Sequence, residues 1–368
     1  MKKDSTIKQS PKQAAASREG PITIGMDLGD KTSRYCELGD NGELLTEGSV
    51  GTTKKAFLQK FAGLKRRRIA LEVGTHSPWV SRLLKGLGHE VIVANARQVR
   101  VITDSSRKND RMDARMLARL ARVDPQLLSP IQHRSEQAQQ HLAMIRVRGA
   151  LVEARTKLVN AARGFSKAQG ERLPACDAAT LGVEEMAEFP AGLQEVLRPL
   201  LEQVESLTEK IKQADSKLEQ IARSEYPETV LLRQVSGVGV LIALTFVLTV
   251  DDRQRFGKSR DVGCYVGLRP RQRDSGESQP QLGITKEGDR YLRTLLVQGA
   301  HHILGWRGPD TDLRRWGLKL ASRGGKNGKK RAIVAVARKL AVLLHRLWVT
   351  GEVYEPLRNS AQLAQPAA

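Results

Sequence analysis

Along this chain, stretches with apolar residues at every second position give way to stretches where they recur at every third or fourth. The first kind opens at "PITIGMDLGD" (21–30). There Ile22, Ile24 and Met26 share a face and Asp27 closes the run, which predicts a strand that delivers an aspartate to its end. "SRYCELGDNGELLTEGSV" (33–50) reads as two more strands turned about Asp40-Asn41-Gly42. "TTKKAFLQKFAGL" (52–64) switches to helical spacing, with Phe57, Phe61 and Leu64 on one side. "RRRIALEVG" (66–74) predicts a buried strand ending in Glu72, and "SPWVSRLLKGLG" (77–88) a helix with proline in its first turn. "HEVIVAN" (89–95) is a further strand, and "SRKNDRMDARMLARLARV" (106–123) a further helix. The predicted order is three strands, helix, strand, helix, strand, helix.

From 130 to 230 the pattern is helical throughout. Leu197, Leu200, Leu201, Val204, Leu207, Ile211 and Leu218 approximate a heptad seam. Two long helices folded back on each other, pairing with a second copy as a coiled coil, are expected. The apolar run "VLIALTFVLTV" (240–250) is too short to span a bilayer and reads as a buried helix. Just before it, Gly237 and Gly239 form a Gly-x-Gly turn, either the start of a helix-hairpin-helix phosphate cradle or a packing turn. Near the end, "LASRGGKNGKKRAIVAVARKLAVLLHRLWVTG" (320–351) begins with a glycine-lysine loop carrying Lys326, Lys329 and Lys330. An amphipathic helix follows, with Ile333, Val336, Leu340, Leu344 and Leu347 on its core side. The adjacent His301 and His302 face different directions on a helix, which argues against a shared metal.

Charge narrows the class. Of 368 residues, 61 are Lys or Arg and 40 are Asp or Glu, a formal net charge of +21. An excess of that size is the footprint of a polyanion binder. No apolar signal core opens the sequence, and Cys36, Cys176 and Cys264 have neither metal-ligand spacing nor a disulfide framework. A cytoplasmic nucleic-acid protein is expected. Its predicted segments are a disordered basic tail (1–20), an α/β domain (21–128), a helical region (129–230), a mostly α domain (231–350) and a tail (351–368).

The candidate chemistry lies in four acids. Asp110 and Asp113 are three apart on one helical face amid arginines, although aspartate is a poor helix former. Three of the four have ordinary alternatives: a strand-end turn for Asp27, an N-cap for Asp110, an ion pair with Arg111 or Arg115 for Asp113. Glu72, at the end of an apolar strand, is harder to dismiss because unpaired buried Glu is rare. Their joint placement is less ordinary. The element order resembles the ribonuclease-H-like nuclease fold, including its RuvC branch, in which carboxylates sit on the first strand, the fourth strand and a later helix. Asp27, Glu72, Asp110 and Asp113 fall at those places. Such acids hold hard divalent cations, which neutralise charge on the oxygens of a reacting phosphodiester. The basic residues around them, Arg107, Lys108 and Arg111, are expected to meet phosphate.

The segment "GCYVGLRPRQRDSGESQPQLGITKEGDRYLRTLLVQGAHH" (263–302) adds a second signature. Its Gly-Leu-x-Pro-Arg, Ser-Gly and Gly-Ile-Thr-Lys-x-Gly-Asp-x-x-Leu-Arg, together with "KNDRMDA", resemble one insertion-sequence transposase family. It is the one-hundred-and-ten insertion-sequence family of DEDD transposases, or bridge-RNA-guided recombinases, and the resemblance spans about residues 21–345. It implies a RuvC-like domain binding Mg²⁺ (Mn²⁺ as an alternative) and a C-terminal serine nucleophile that forms a phosphoserine link to DNA. The matching serine is Ser275, with Ser278 a nearby rival and Glu277 where a small residue is expected. Arg269, Arg271, Arg273, Lys286, Arg290 and Arg293 surround it and suit phosphate binding. The resemblance further implies donor and target DNA, a guide RNA encoded by the element, and a tetramer whose sites combine one subunit's acids with another's serine. Two rival readings are a RuvC-like structure-specific nuclease that uses water, and a nucleic-acid-binding protein without catalysis.

Overall fold

The computed structural model describes residues 21–95, 110–273, 275, 278, 280, 282–325 and 327–359. Arg107, Lys108 and Lys326 lie outside the described residues. The chain divides into two compact units, residues 1–133 and 134–368.

The first unit is a five-stranded sheet in the order β3-β2-β1-β4-β5. Strands β1 (Thr23–Asp27), β2 (Thr32–Leu38) and β3 (Leu44–Gly51) form an antiparallel meander. Strands β4 (Arg68–Glu72) and β5 (Glu90–Ala94) continue it in parallel from β1. The parallel joins need crossovers, supplied by helices α1 (Lys54–Phe61) and α2 (Ser77–Gly86). Alternation sends Ile22, Ile24, Met26, Ile69 and Leu71 to the face covered by Phe57, Phe61, Val80 and Leu84. The other face is built for close approach. Ala70, Ile92 and Ala94 meet Leu117 and Ala121 of helix α3 (Asp110–Val123), while Cys36 and Leu38 meet its Ala114 and Ala118. A Cβ on Gly25 would overlap the Ala114 carbonyl oxygen and the Ala118 nitrogen, so only glycine lets α3 lie this near β1.

The second unit begins with helices α4 (Glu136–Ala168) and α5 (Ala191–Glu225), packed against each other along their length. At one end Val159 and Ala162 meet Leu197, Leu201 and Val204, capped by Leu173, Leu181 and Met186 of the connection. At the other, Leu142 and Ile145 meet Leu218 and Ile221. The seam expected to pair two copies is therefore covered within one chain. Leu197, Leu201, Val204, Leu207, Ile211 and Leu218 are all buried in the single protomer, because α4 supplies the partner ridge.

After α6 (Glu228–Leu232), helix α7 (Val240–Val250) is the buried helix that its unbroken apolar run predicts. Helices α8 (Arg260–Tyr265), α9 (Arg290–Leu304), α10 (Asp312–Ala321) and α11 (Gly328–Thr350) complete a core centred on Phe246, Leu296, Leu340 and Leu344. The Gly-x-Gly turn is a packing turn. Gly237 has φ +81°, and a Cβ there would stand 2.8 Å from the Gly299 carbonyl oxygen, so its glycine answers to α9. Among the described residues no helix is long and apolar enough to cross a membrane.

Candidate active site

Strand alternation places Asp27 on the same face as Gly25, and Glu72 on the same face as Ala70. Both faces look toward α3. On that helix Asp110, Asp113, Ala114, Leu117, Ala118 and Ala121 follow helical spacing, so the two aspartates extend the buried stripe beyond the edge of the sheet. Small residues bring backbone to backbone, and the acids at the adjoining ends come together. The electrostatics record it: the Asp27 carboxyl is pushed up to about 6, first by burial, then by the charges of Asp110, Asp113 and Glu72.

Four oxygen-only carboxylates with one destabilised as an anion fit a hard dication, which favours such ligands and relieves their repulsion. As they stand, no three His, Cys, Asp or Glu side chains among the described residues are close enough to enclose one ion. They share a field without forming a coordination sphere.

The arginines beside these acids do something the pattern did not disclose. Glu47 on β3 has a side chain only 11% exposed and accepts from the guanidinium groups of both Arg111 and Arg115, the latter through two bonds. The two arginines hold the Glu47 carboxyl down to about 2. Arg111, expected at phosphate, is instead engaged with Glu47 and ties the first turn of α3 to the sheet. Arg122 fixes the far end, donating to the Asp40 carbonyl at 3.0 Å.

Ser275 belongs to the second unit, and its setting is a hairpin with a locked base. Thr285 donates to Arg269 (2.9 Å), Lys286 to Gly267 (3.0 Å) and Arg271 to Gly283 (2.9 Å), all backbone to backbone. Gly267 and Gly288 are both left-handed, and neither has room for a Cβ: one meets the backbone of Glu287, the other the carbonyl of Tyr265. The two halves of the signature segment thus cross at backbone contact. Farther out, Ser275 and Ser278 exchange backbone hydrogen bonds of 3.2 and 3.1 Å, and both are exposed.

Of the cations expected around this serine, Arg269, Arg271, Arg273, Lys286 and Arg290 are exposed, as are Lys329 and Lys330 of the glycine-lysine loop. Arg293 departs from expectation. It donates to the carbonyls of Val266 (3.1 Å) and Glu287 (2.8 Å), and burial lowers its pKa, so it fastens the crossing. Asp289 caps α9 through the Leu292 amide (2.9 Å) and receives Arg146 from α4 (3.0 Å).

Both signatures have counterparts in known families. Residues 24–165 match a family model described as Transposase, the DEDD domain of the IS110 type. Residues 230–314 match one described as Transposase IS116/IS110/IS902 family. The transposase for insertion sequence element IS1111A of Coxiella burnetii is 28% identical over 344 residues, covering 90% of either chain. The transposase for insertion sequence element IS1328 of Yersinia enterocolitica is 30% identical over 283 residues, covering 75% of this chain and 82% of its own. The DEDD domain carries with it a ribonuclease-H-like fold and dependence on a divalent metal. On both halves of the sequence and on relatives aligned along most of its length, the chain belongs to the IS110 family of insertion-sequence transposases, enzymes that cut and rejoin DNA.

Proposed function

We propose that this transposase cuts DNA through direct attack by Ser275 and rejoins it by reversal, guided by an RNA that its element encodes. The observation that carries the acid half of the reading is the shared field at Asp27, raised to about 6 by burial and three neighbouring carboxylates. Asp27, Glu72, Asp110 and Asp113 are the residues that would hold Mg²⁺ or Mn²⁺. When bound, the ion supplies charge neutralisation at the attacking and leaving oxygens.

The serine step balances as a transesterification. The Ser275 Oγ–P bond forms as one backbone P–O bond breaks; the hydroxyl proton goes to water, and the departing strand oxygen takes one up. One phosphodiester replaces another, so rejoining requires no nucleotide cofactor. Serine is weakly nucleophilic unless its surroundings activate it. Arg269, Arg271, Arg273, Lys286 and Arg290 are suited to neutralise the phosphate it attacks. The family resemblance supports the remaining parts: RNA that selects donor and target by pairing, and a tetramer that joins one copy's acids to another's serine. A charge of +21 suits a load of RNA and DNA.

The test traps the protein with labelled donor DNA, flanking RNA and Mg²⁺, then looks for a denaturant-resistant protein–DNA adduct. An adduct present in the parent and absent in Ser275→Ala is the expected result. Cleavage without adduct, indifferent to Ser275→Ala but abolished by Asp110→Ala, would make the chain a hydrolytic nuclease.

A further inference from the structure

Under the base of the serine hairpin lies a cavity of about 1090 Å³ between the hairpin and helices α10 and α11. Its walls divide by chemistry. Leu268, Ile284, Val334, Val342 and Trp316 make an apolar floor, and Arg271, Lys286, Lys330, Arg331, Arg338 and Lys339 line it with positive charge. No aspartate or glutamate is among the described residues that line it. Six cations gathered with no acid among the described lining residues make this wall electropositive, so the arrangement favours an anion. The Lys339 ammonium lies 3.9 Å from the Trp316 ring centroid, and partial burial lowers its pKa.

Lys286 supplies an independent observation. Its φ is +59°, a left-handed conformation that disfavours a residue with a Cβ, and glycines occupy the neighbouring left-handed positions 267 and 288. A glycine would serve the turn with less strain. Here the position is a lysine, and it lines the cavity.

We propose that this cavity binds an unpaired segment of nucleic acid, with bases against the apolar floor and phosphates on the cationic rim. Charge alone would accept any polyanion. The floor selects among them, because stacked duplex hides its base faces and a single strand exposes them. Of the five floor side chains only Trp316 carries a hydrogen-bonding group, its indole N–H, so sequence preference should be slight. The inference takes from the preceding reading only that Ser275 acts on DNA. An unpaired segment held at the hairpin base would keep a strand beside the serine between cutting and rejoining.

The test measures binding without Mg²⁺, on the Ser275→Ala background, by anisotropy of a short labelled oligothymidine. A duplex of equal length and inorganic polyphosphate are the competitors. The single strand should be displaced poorly by both. Filling the floor with Val334→Trp should weaken it about tenfold, the scale of one lost base stack, with duplex binding unchanged. Should that variant fail to fold, Lys330→Glu on the exposed rim replaces it, read with an iodouracil-bearing oligomer whose cross-links should map to Trp316 or to residues 334–342. Competition by polyphosphate as strong as by the single strand, or cross-links confined elsewhere, overturns the proposal. Because no adduct is measured, this outcome is separate from failure of the serine reading.

Discussion

Asp27 carries a conflict that a bound dication would resolve. Its protonated form is favoured in the fold, because burial and three neighbouring acids penalise the anion. A carboxyl with a raised folded pKa contributes stability below its unfolded value, and that contribution is lost as pH rises toward about 6. The metal-free protein should therefore lose stability between pH 4 and 6 relative to Asp27→Asn, and Mg²⁺ should restore the parent alone. Thermal unfolding of both proteins across that range, with and without Mg²⁺, checks the sign; a parent equal to the variant throughout would remove the shared field. The acids were legible in the sequence because strand ends and helical spacing are local patterns. What each arginine does was not. Arg111 and Arg293 look like Arg273 in the sequence, yet one is bound to a carboxylate on β3 and another joins the carbonyls of Val266 and Glu287. Such assignments depend on contacts across the fold, which periodicity does not encode.

At the scale of elements, helix α3 is set by two devices acting at different heights. Gly25 removes the spacer between helix and sheet, and Glu47 clamps the first turn through Arg111 and Arg115. Glu47→Gln should leave the sheet folded but loosen the start of α3. Metal binding is expected to weaken by about tenfold, the usual scale for residues that support ligands from behind. Titration of Mn²⁺ followed by spectroscopy, with no turnover needed, measures it; an unchanged affinity would mean that α3 holds its acids without the clamp. The strands and helices of the first unit were readable in order, and so was the buried α7. Glu47 escapes periodicity because its partners lie more than sixty residues away, and a heptad seam does not say whether the helix that covers it comes from the same chain or a second copy. The tight crossing at Gly267 and Gly288 could be quoted from the sequence but not explained, since its cause is another strand of backbone.

For the whole molecule, charge is the property that governs encounter. A surplus of +21 predicts non-specific DNA binding dominated by release of counterions. If six or more phosphates are engaged, affinity should fall about 10³-fold or more between roughly 50 and 200 mM salt. Equilibrium binding to unrelated duplex DNA over that range tests this, and a flat dependence would confine the basic residues to internal pairing. Against so permissive an attraction, the proposed metal acids on the α3 stripe would be a point of control. The face that packs through Ala114 and Ala118 also carries Asp110 and Asp113, so, on the metal role proposed for these acids, a helix displaced by one turn would lose its ligands as it unpacks. On that proposal, a copy damaged in folding would keep its affinity for DNA and lose the power to cut it.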